Sequence, residues 1–369
     1  MMRRDFLLRL ATSLPVATLA LNRSGRAAAE TALANPGWRT FEIVTSVDVA
    51  NPVGRTRLWL PVPWSSVSDY QRTLEVRWDA GSAAHVELAT LPGYDVRVLQ
   101  VEWQDATSVG PITLTSRVAT RDRQVDLARS ASPAERPEEP NVLATYLRPT
   151  SLLPTDGIVA ETAQKITLNR HGDLDRARAI YDWVVDNTAR DPKTPGCGMG
   201  DVASMLQTGY LGGKCADINA LFVALARAVR IPARDVYGIR VAESRSGFQC
   251  LGRGGDITKA QHCRAEFYAV GHGWVPVDPA DVRKVVLEEA AGGLAMTDPK
   301  VESARTMLFG RWEMNWIAYN HGHDVVLPGS SRGAIPFLMY PNGETADGRL
   351  DALSPASFRY QIQVRELAI

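Results

Sequence analysis

The hydrophobic period of this chain changes near residue 155, and that change decides its fold class. Ahead of it, residues 41–49 carry Phe41, Ile43, Thr45, Val47 and Val49 at every odd position. A period of two places one face of a strand in a core. Residues 57–60 form a shorter apolar run, and 96–103 partly repeat the alternation, with Pro and Gly turns between. These segments predict an N-terminal β domain over 37–120, built as an antiparallel β-sandwich. Residues 121–148 are charged and Pro-containing, the composition of a linker or a long surface loop.

Beyond 155 the apolar residues recur every three or four positions. Asp173 or Asp175 caps a helix whose apolar face is Ala177, Ile180, Tyr181 and Val184. A second helix begins near Lys214, with Ile218, Leu221, Phe222, Leu225 and Val229 on one face, and ends at Ile231-Pro232 because proline cannot continue the ladder. Strands follow over 235–241, 265–270 and 274–277. Helix first and sheet afterwards predicts an α+β core over 150–295. The tail, 296–369, mixes a helix with strands such as 358–364 and is expected as an α/β extension packing on that core. With 369 residues, 45% of them hydrophobic, the chain is long enough for two or three domains.

Basic and acidic residues balance at 41 each. No overall positive field exists to hold nucleic acid or an anionic membrane, so nucleic acid is not an expected partner. No uninterrupted apolar run reaches the roughly 18 residues of a membrane span, so none is expected in the mature protein. The N-terminus reads Arg3-Arg4-Asp5-Phe6-Leu7, then an apolar stretch over 14–21, then Ala27-Ala28-Ala29 before Glu30. That order predicts a twin-arginine signal peptide over 1–29, cleaved near Ala29, and a periplasmic location.

Cys197, Cys215, Cys250 and Cys263 are the cysteines. In an oxidising compartment disulfides are the default. A catalytic Cys215 must stay free, which leaves at most one bridge among the other three. No C-x-x-C pair marks a structural zinc site. Gly212-Gly213-Lys214-Cys215-Ala216-Asp217 puts Cys215 in the first turn of the second helix, among unpaired backbone N–H groups at the positive end of the dipole. Both effects favour the nucleophilic thiolate; the same position also suits a buried small hydrophobe. His262 opens one predicted strand and Asp278 ends the next, before Pro279. Nucleophile, imidazole and carboxylate in that order build a Cys-His-acid triad.

Three blocks of this sequence resemble the transglutaminase-like superfamily: Gly213-Lys214-Cys215 with its helix through Ile231-Pro232-Ala233-Arg234, His262-Cys263-Arg264-Ala265-Glu266, and Gly273-Trp274-Val275-Pro276-Val277-Asp278-Pro279. The resemblance implies a papain-like core, with the nucleophile helix packed on an antiparallel sheet. It also implies an amide or peptide hydrolase that works through a thioester acyl-enzyme and needs neither cofactor nor metal. Cys215 attacks a peptide or protein amide, His262 moves the proton, and Asp278 orients the imidazolium. The oxyanion would meet the Cys215 N–H and a second donor, for which Tyr210 and Gln207 are the candidates. Two alternatives stand beside it: glutamine–amine acyl transfer, and a binding module that keeps the fold without catalysis. Where the family often has a tryptophan two residues after the histidine, this chain has Arg264, which weakens the crosslinking reading.

Smaller expectations complete the picture. Neighbours on a strand face opposite ways, so Cys263 is predicted to point away from the cleft. The glycine-rich segment 196–201 is expected as a cleft wall, and it lacks the lysine and hydroxyl of a phosphate loop. Asp217 and Asn219 read as local caps. His321 and His323 read as a surface loop.

Overall fold

The computed structural model describes residues 37–49, 52–65, 68–81, 83, 85–105, 110–128, 137–355 and 358–368. The expected signal peptide, 1–29, lies outside them. The chain opens with β1 (Arg39–Asp48), β2 (Thr56–Pro61), β3 (Gln71–Asp79), β4 (His85–Leu91), β5 (Val96–Trp103) and β6 (Ile112–Thr120). In β1 the side chains of Phe41, Ile43, Thr45 and Val47 are buried while their neighbours between them are not, as alternation requires. Short β7 (Arg123–Gln124) and α1 (Pro140–Thr145) lie in the segment read as linker.

The helical stretch comprises α2 (Gly157–Ile166), α3 (Gly172–Asn187), α4 (Val202–Thr208) and α5 (Cys215–Ala228), with two-residue strands β8 (Ala189–Arg190) and β9 (Gly212–Gly213) between them. Ala177, Ile180, Tyr181 and Val184 of α3 are buried as predicted, but the cap is His171. Asp173 and Asp175 instead occupy the first turn, where their charge suits the dipole, and Asp175 accepts the His171 N–H at 3.1 Å. Next come β10 (Ala233–Arg240), β11 (Gly255–Asp256), β12 (Gln261–Ala269), β13 (Gly273–Val277), α6 (Pro279–Glu288), α7 (Pro299–Met307), β14 (Arg311–Trp312), β15 (Trp316–Asn320), β16 (Asn342–Glu344) and β17 (Arg359–Leu367).

Two antiparallel sheets, in the orders β11-β17-β1-β6-β3 and β16-β2-β5-β4, enclose a shared apolar core that includes Phe41, Leu58, Leu60, Leu99, Ile112 and Val118. The tail therefore divides. β17 runs along all of β1, from Thr40 opposite Leu367 to Asp48 opposite Arg359, and β16 pairs with β2. β15 instead joins the sheet β13-β12-β10-β15, against which α5 packs. Every α5 residue from Cys215 to Arg227 is buried, because α2, α3 and α6 cover the faces the sheet leaves. A helix apolar all round belongs in an interior. The chain is thus an α+β protein with a helix-on-antiparallel-sheet core and a β-sandwich beside it. None of the helices among the described residues is long and apolar enough to cross a membrane.

Candidate active site

The start of α5 crosses the sheet where β12 begins, and the hairpin of β12 and β13 sets Ala265 opposite Val277. This register brings His262, at the head of one strand, to Asp278, just past the end of the other. The His262 Nε2–H donates to Asp278 Oδ2 at 2.7 Å. Asp278 is fully buried and also caps α6, its Oδ1 accepting the Asp281 N–H at 3.1 Å. The Asn219 amide donates to the same oxygen at 3.3 Å and to the Cys263 carbonyl at 2.9 Å. Asn219 thus fixes the carboxylate rather than capping the helix. It lies one turn after Cys215, on the same face of α5, and that spacing is the sequence signal for it.

The loop ahead of α5 is stapled to its first turn. Cys197 C=O accepts the Ala216 N–H at 2.8 Å. Asp217 accepts from Met199 N and Gly200 N at 2.9 Å each, and from Lys214 N at 3.0 Å. Gly198 makes this possible: its φ is +92°, and a Cβ there would lie 1.8 Å from Asp217 Oδ2. Gly198→Ala should therefore lower the urea-unfolding free energy by about 2 kcal/mol or more. It should also slow alkylation of Cys215 severalfold, because the loop must lift off the helix start. Unchanged values of both would show that the staple is dispensable.

Cys215 stands apart electrostatically. Side-chain contacts with Cys197 and Cys263, together with the bond and positive charge of His262, outweigh its burial and hold its thiol well below the ordinary range; the Cys197 thiol itself donates to the Gln261 carbonyl at 3.3 Å. The other three cysteines are pushed up, Cys197 by its bond to Cys215 and by burial, Cys263 and Cys250 by burial first. Burial and Arg240 oppose a charge on His262, but Asp281 and Asp278 prevail and raise its pKa. The two shifts, one down and one up, both favour the charged forms of the pair. All four cysteines are free, so none of the disulfides allowed by the count forms.

Several sequence expectations are corrected here. Cys263 is fully buried and is not among the residues lining the cleft, as expected, yet its thiol still bonds to that of Cys215. His321 and His323 are buried rather than on a surface loop. His323 Nε2 lies 3.0 Å from Asp235, and burial followed by Arg234 pushes His321 down to about 3. Tyr210 and Gln207 are exposed and do not line the cleft; the Tyr210 hydroxyl donates to Asp191 at 2.7 Å. Among the hydroxyl side chains that do line the cleft, Tyr340 is the one bonded to Cys197, and no local pattern announces it.

His262, Asp278 and Asp281 bring three donor atoms within 4.8 Å of one another, a spacing that could hold a metal. The surrounding cations compete for that role: Arg240 Nη2 donates to Asp281 at 2.5 Å, and Arg264 Nε lies 3.6 Å from Asp278. The cluster is a carboxylate pair already neutralised by arginine and histidine. In front of it lies a cleft of about 700 Å³ lined by Cys215 and His262, both largely buried, with Gly196 and Cys197 on its wall as the sequence predicts.

Comparisons with known proteins agree with this construction. The family model of the transglutaminase-like superfamily core matches residues 160–279, which include Cys215, His262 and Asp278. An uncharacterized protein of Haemophilus influenzae is 33% identical over 349 residues, covering 90% of this chain and 93% of that one. A crystal structure from Cytophaga hutchinsonii, provisionally described as a cysteine protease, superposes with a TM-score of 0.54 at 16% identity, covering 90% of this chain and 92% of that one. With the helix-on-sheet core, the matched segment and the likeness in fold all in agreement, the chain belongs to the transglutaminase-like superfamily.

Proposed function

We propose that this protein is an exported cysteine enzyme that cleaves amide or peptide bonds through a thioester acyl-enzyme. The observation that carries the reading is the 2.7 Å His262–Asp278 pair beside the one cysteine of four whose pKa is lowered. The Cys215 thiolate attacks the carbonyl carbon of the amide. The Cys215 N–H, at the first helical position and without an intrahelical acceptor, faces the developing oxyanion. His262 gives its proton to the leaving amine, then takes one from water as hydroxide adds to the thioester. Asp278, oriented by Asn219 and the Asp281 N–H, keeps the imidazole ring aligned. Tyr340 replaces Tyr210 and Gln207 as the side chain to test for the second oxyanion donor. The location is periplasmic, by the twin-arginine route; this rests on residues 1–29 alone.

Water and amines compete for the same thioester, so one experiment separates the readings. A casein digest with a labelled primary amine should release new amino termini without incorporating label, and Cys215→Ala should lower that release by at least a thousandfold. Label incorporation would turn the reading to glutamine–amine acyl transfer. Full activity in Cys215→Ala would end any thiol mechanism, and no release from casein or an acidic peptide library would favour a binding module.

A further inference from the structure

The chain is electrically neutral as a whole, yet the cleft in front of Cys215 is not. Arg190, Lys214, Arg253, Lys259 and Lys284 line it, and Glu288 is the one carboxylate among the described lining residues. Glu288 is already engaged: Arg190 donates to it, and Lys284 Nζ lies 3.7 Å from it. Arg240, also on the lining, is held by Asp281. That leaves Lys214, Arg253 and Lys259 with no acidic side chain of the described residues in bridging distance, and the last two are exposed. The Arg253 guanidinium makes one bond, to the Asp256 carbonyl at 3.1 Å.

These cations come from separate elements: β8, the residue before α5, the segments flanking β11, and α6. They surround the cleft rather than converge on one point, so they suit a ligand whose negative charges are spread along its length. A concave site of one sign, walled by protein, focuses its field on whatever enters. Glu288 meanwhile keeps Arg190 and Lys284 ordered without cancelling the excess.

We infer that the cleft selects acidic peptides, substrates that carry carboxylates on both sides of the amide they present to Cys215, with Arg253 and Lys259 as specificity-determining contacts. This deepens the enzyme reading and rests on it for the word substrate. An amide must be present for thioester chemistry, which favours a carboxylate-bearing peptide over a nucleic acid of similar charge.

The test is binding, measured without turnover. Calorimetric titration of the full-length chain carrying Cys215→Ala would compare a hexapeptide of alternating alanine and glutamate with its alanine–glutamine counterpart. The acidic peptide should bind at least tenfold more tightly. In the Arg253→Glu/Lys259→Glu background that preference should fall to within twofold, with circular dichroism unchanged. Should that variant fold poorly, Lys259→Gln and titration in 0.5 M NaCl take its place, and each should shrink the preference severalfold because exposed charges are screened. Equal binding of the two peptides, or a preference that survives charge reversal and salt, overturns the inference. Because the readout bypasses the thiol, such a failure leaves the catalytic reading untouched; slow alkylation of Cys215 would defeat that reading separately.

Discussion

At pH 6, iodoacetamide should modify Cys215 tens of times faster than free cysteine and leave Cys197, Cys250 and Cys263 untouched. An ordinary thiol of pKa about 8.5 is roughly 0.3% thiolate at that pH. A fully ionised one gains more than two orders of magnitude in reactive form and gives back part of it, because a less basic sulfur is a weaker nucleophile. The direction follows from the surroundings: the Cys197 and Cys263 side chains and then His262 lower the Cys215 thiol, while the bond to Cys215 and burial push Cys197 up and burial first pushes Cys250 and Cys263 up. With Cys215 lowered and His262 raised, the thiolate–imidazolium pair is populated between the two pKa values. Reactivity should therefore rise through the lower, plateau across neutral pH, and change again above the upper as the imidazolium loses its proton. His262→Ala should cost at least tenfold at pH 6, and Asp278→Asn a smaller factor through loss of ring alignment. Peptide mass spectrometry across pH reads all of this site by site. A Cys215 profile that tracks free cysteine, or one that His262→Ala does not move, would sink the ion pair.

The positions of Cys215, His262 and Asp278 were legible because each sits at an element boundary that local chemistry announces. Two glycines precede the helix, alternation begins at the histidine, and a proline follows the acid. The strands were legible where one face is wet, as in β1. Readings failed where contacts depend on the sequence-distant packing of neutral-looking segments. His321 and His323 follow β15 in a stretch with no period, and only the assembled sheet buries them against Asp235 and Trp64. Tyr340 reaches the cleft because the segment between β15 and β16 packs Phe337, Met339 and Tyr340 against the core that contains α5. The tail reads as one unit in sequence, but its strands join different sheets: β15 and β16 as edges beside β10 and β2, and β17 between β1 and β11. Net charge misled in its own way. A balanced total names no partner, whereas its distribution concentrates cations around one cleft.

Glu266→Gln should be the most damaging substitution outside the site. Glu266 is fully buried on β12, the strand that carries His262, and it receives Arg123 from β7 and, at 2.5 Å, Arg234 Nε from β10. Arg234 also stacks over the Trp274 ring at 3.9 Å, and Arg123 donates to the Trp274 carbonyl at 2.6 Å. One carboxylate thus joins three strands and two otherwise uncompensated guanidinium groups. Burial alone would raise its pKa, but Arg234 and then Arg123 overcome it and pull the value down to about 2. Against an unfolded value near 4.3, that gap corresponds to about 3 kcal/mol. The folded pKa is the depressed one, so the stabilisation is complete above pH 4 to 5 and is lost as pH falls towards 2. Gln keeps the shape and removes the charge, leaving two buried cations unpaired, so a loss of about 3 to 5 kcal/mol is expected at pH 7. Between pH 7 and pH 3 the wild type should surrender about 2 kcal/mol of its advantage, because the unfolded carboxyl takes up a proton there and the folded one does not. Urea midpoints of both proteins at the two pH values decide the matter. Equal midpoints at pH 7, or a gap that does not narrow in acid, would mean that the arginines are held by packing, Arg234 on Trp274 and Tyr146 and Arg123 on Tyr70 and Trp312, rather than by the carboxylate between them.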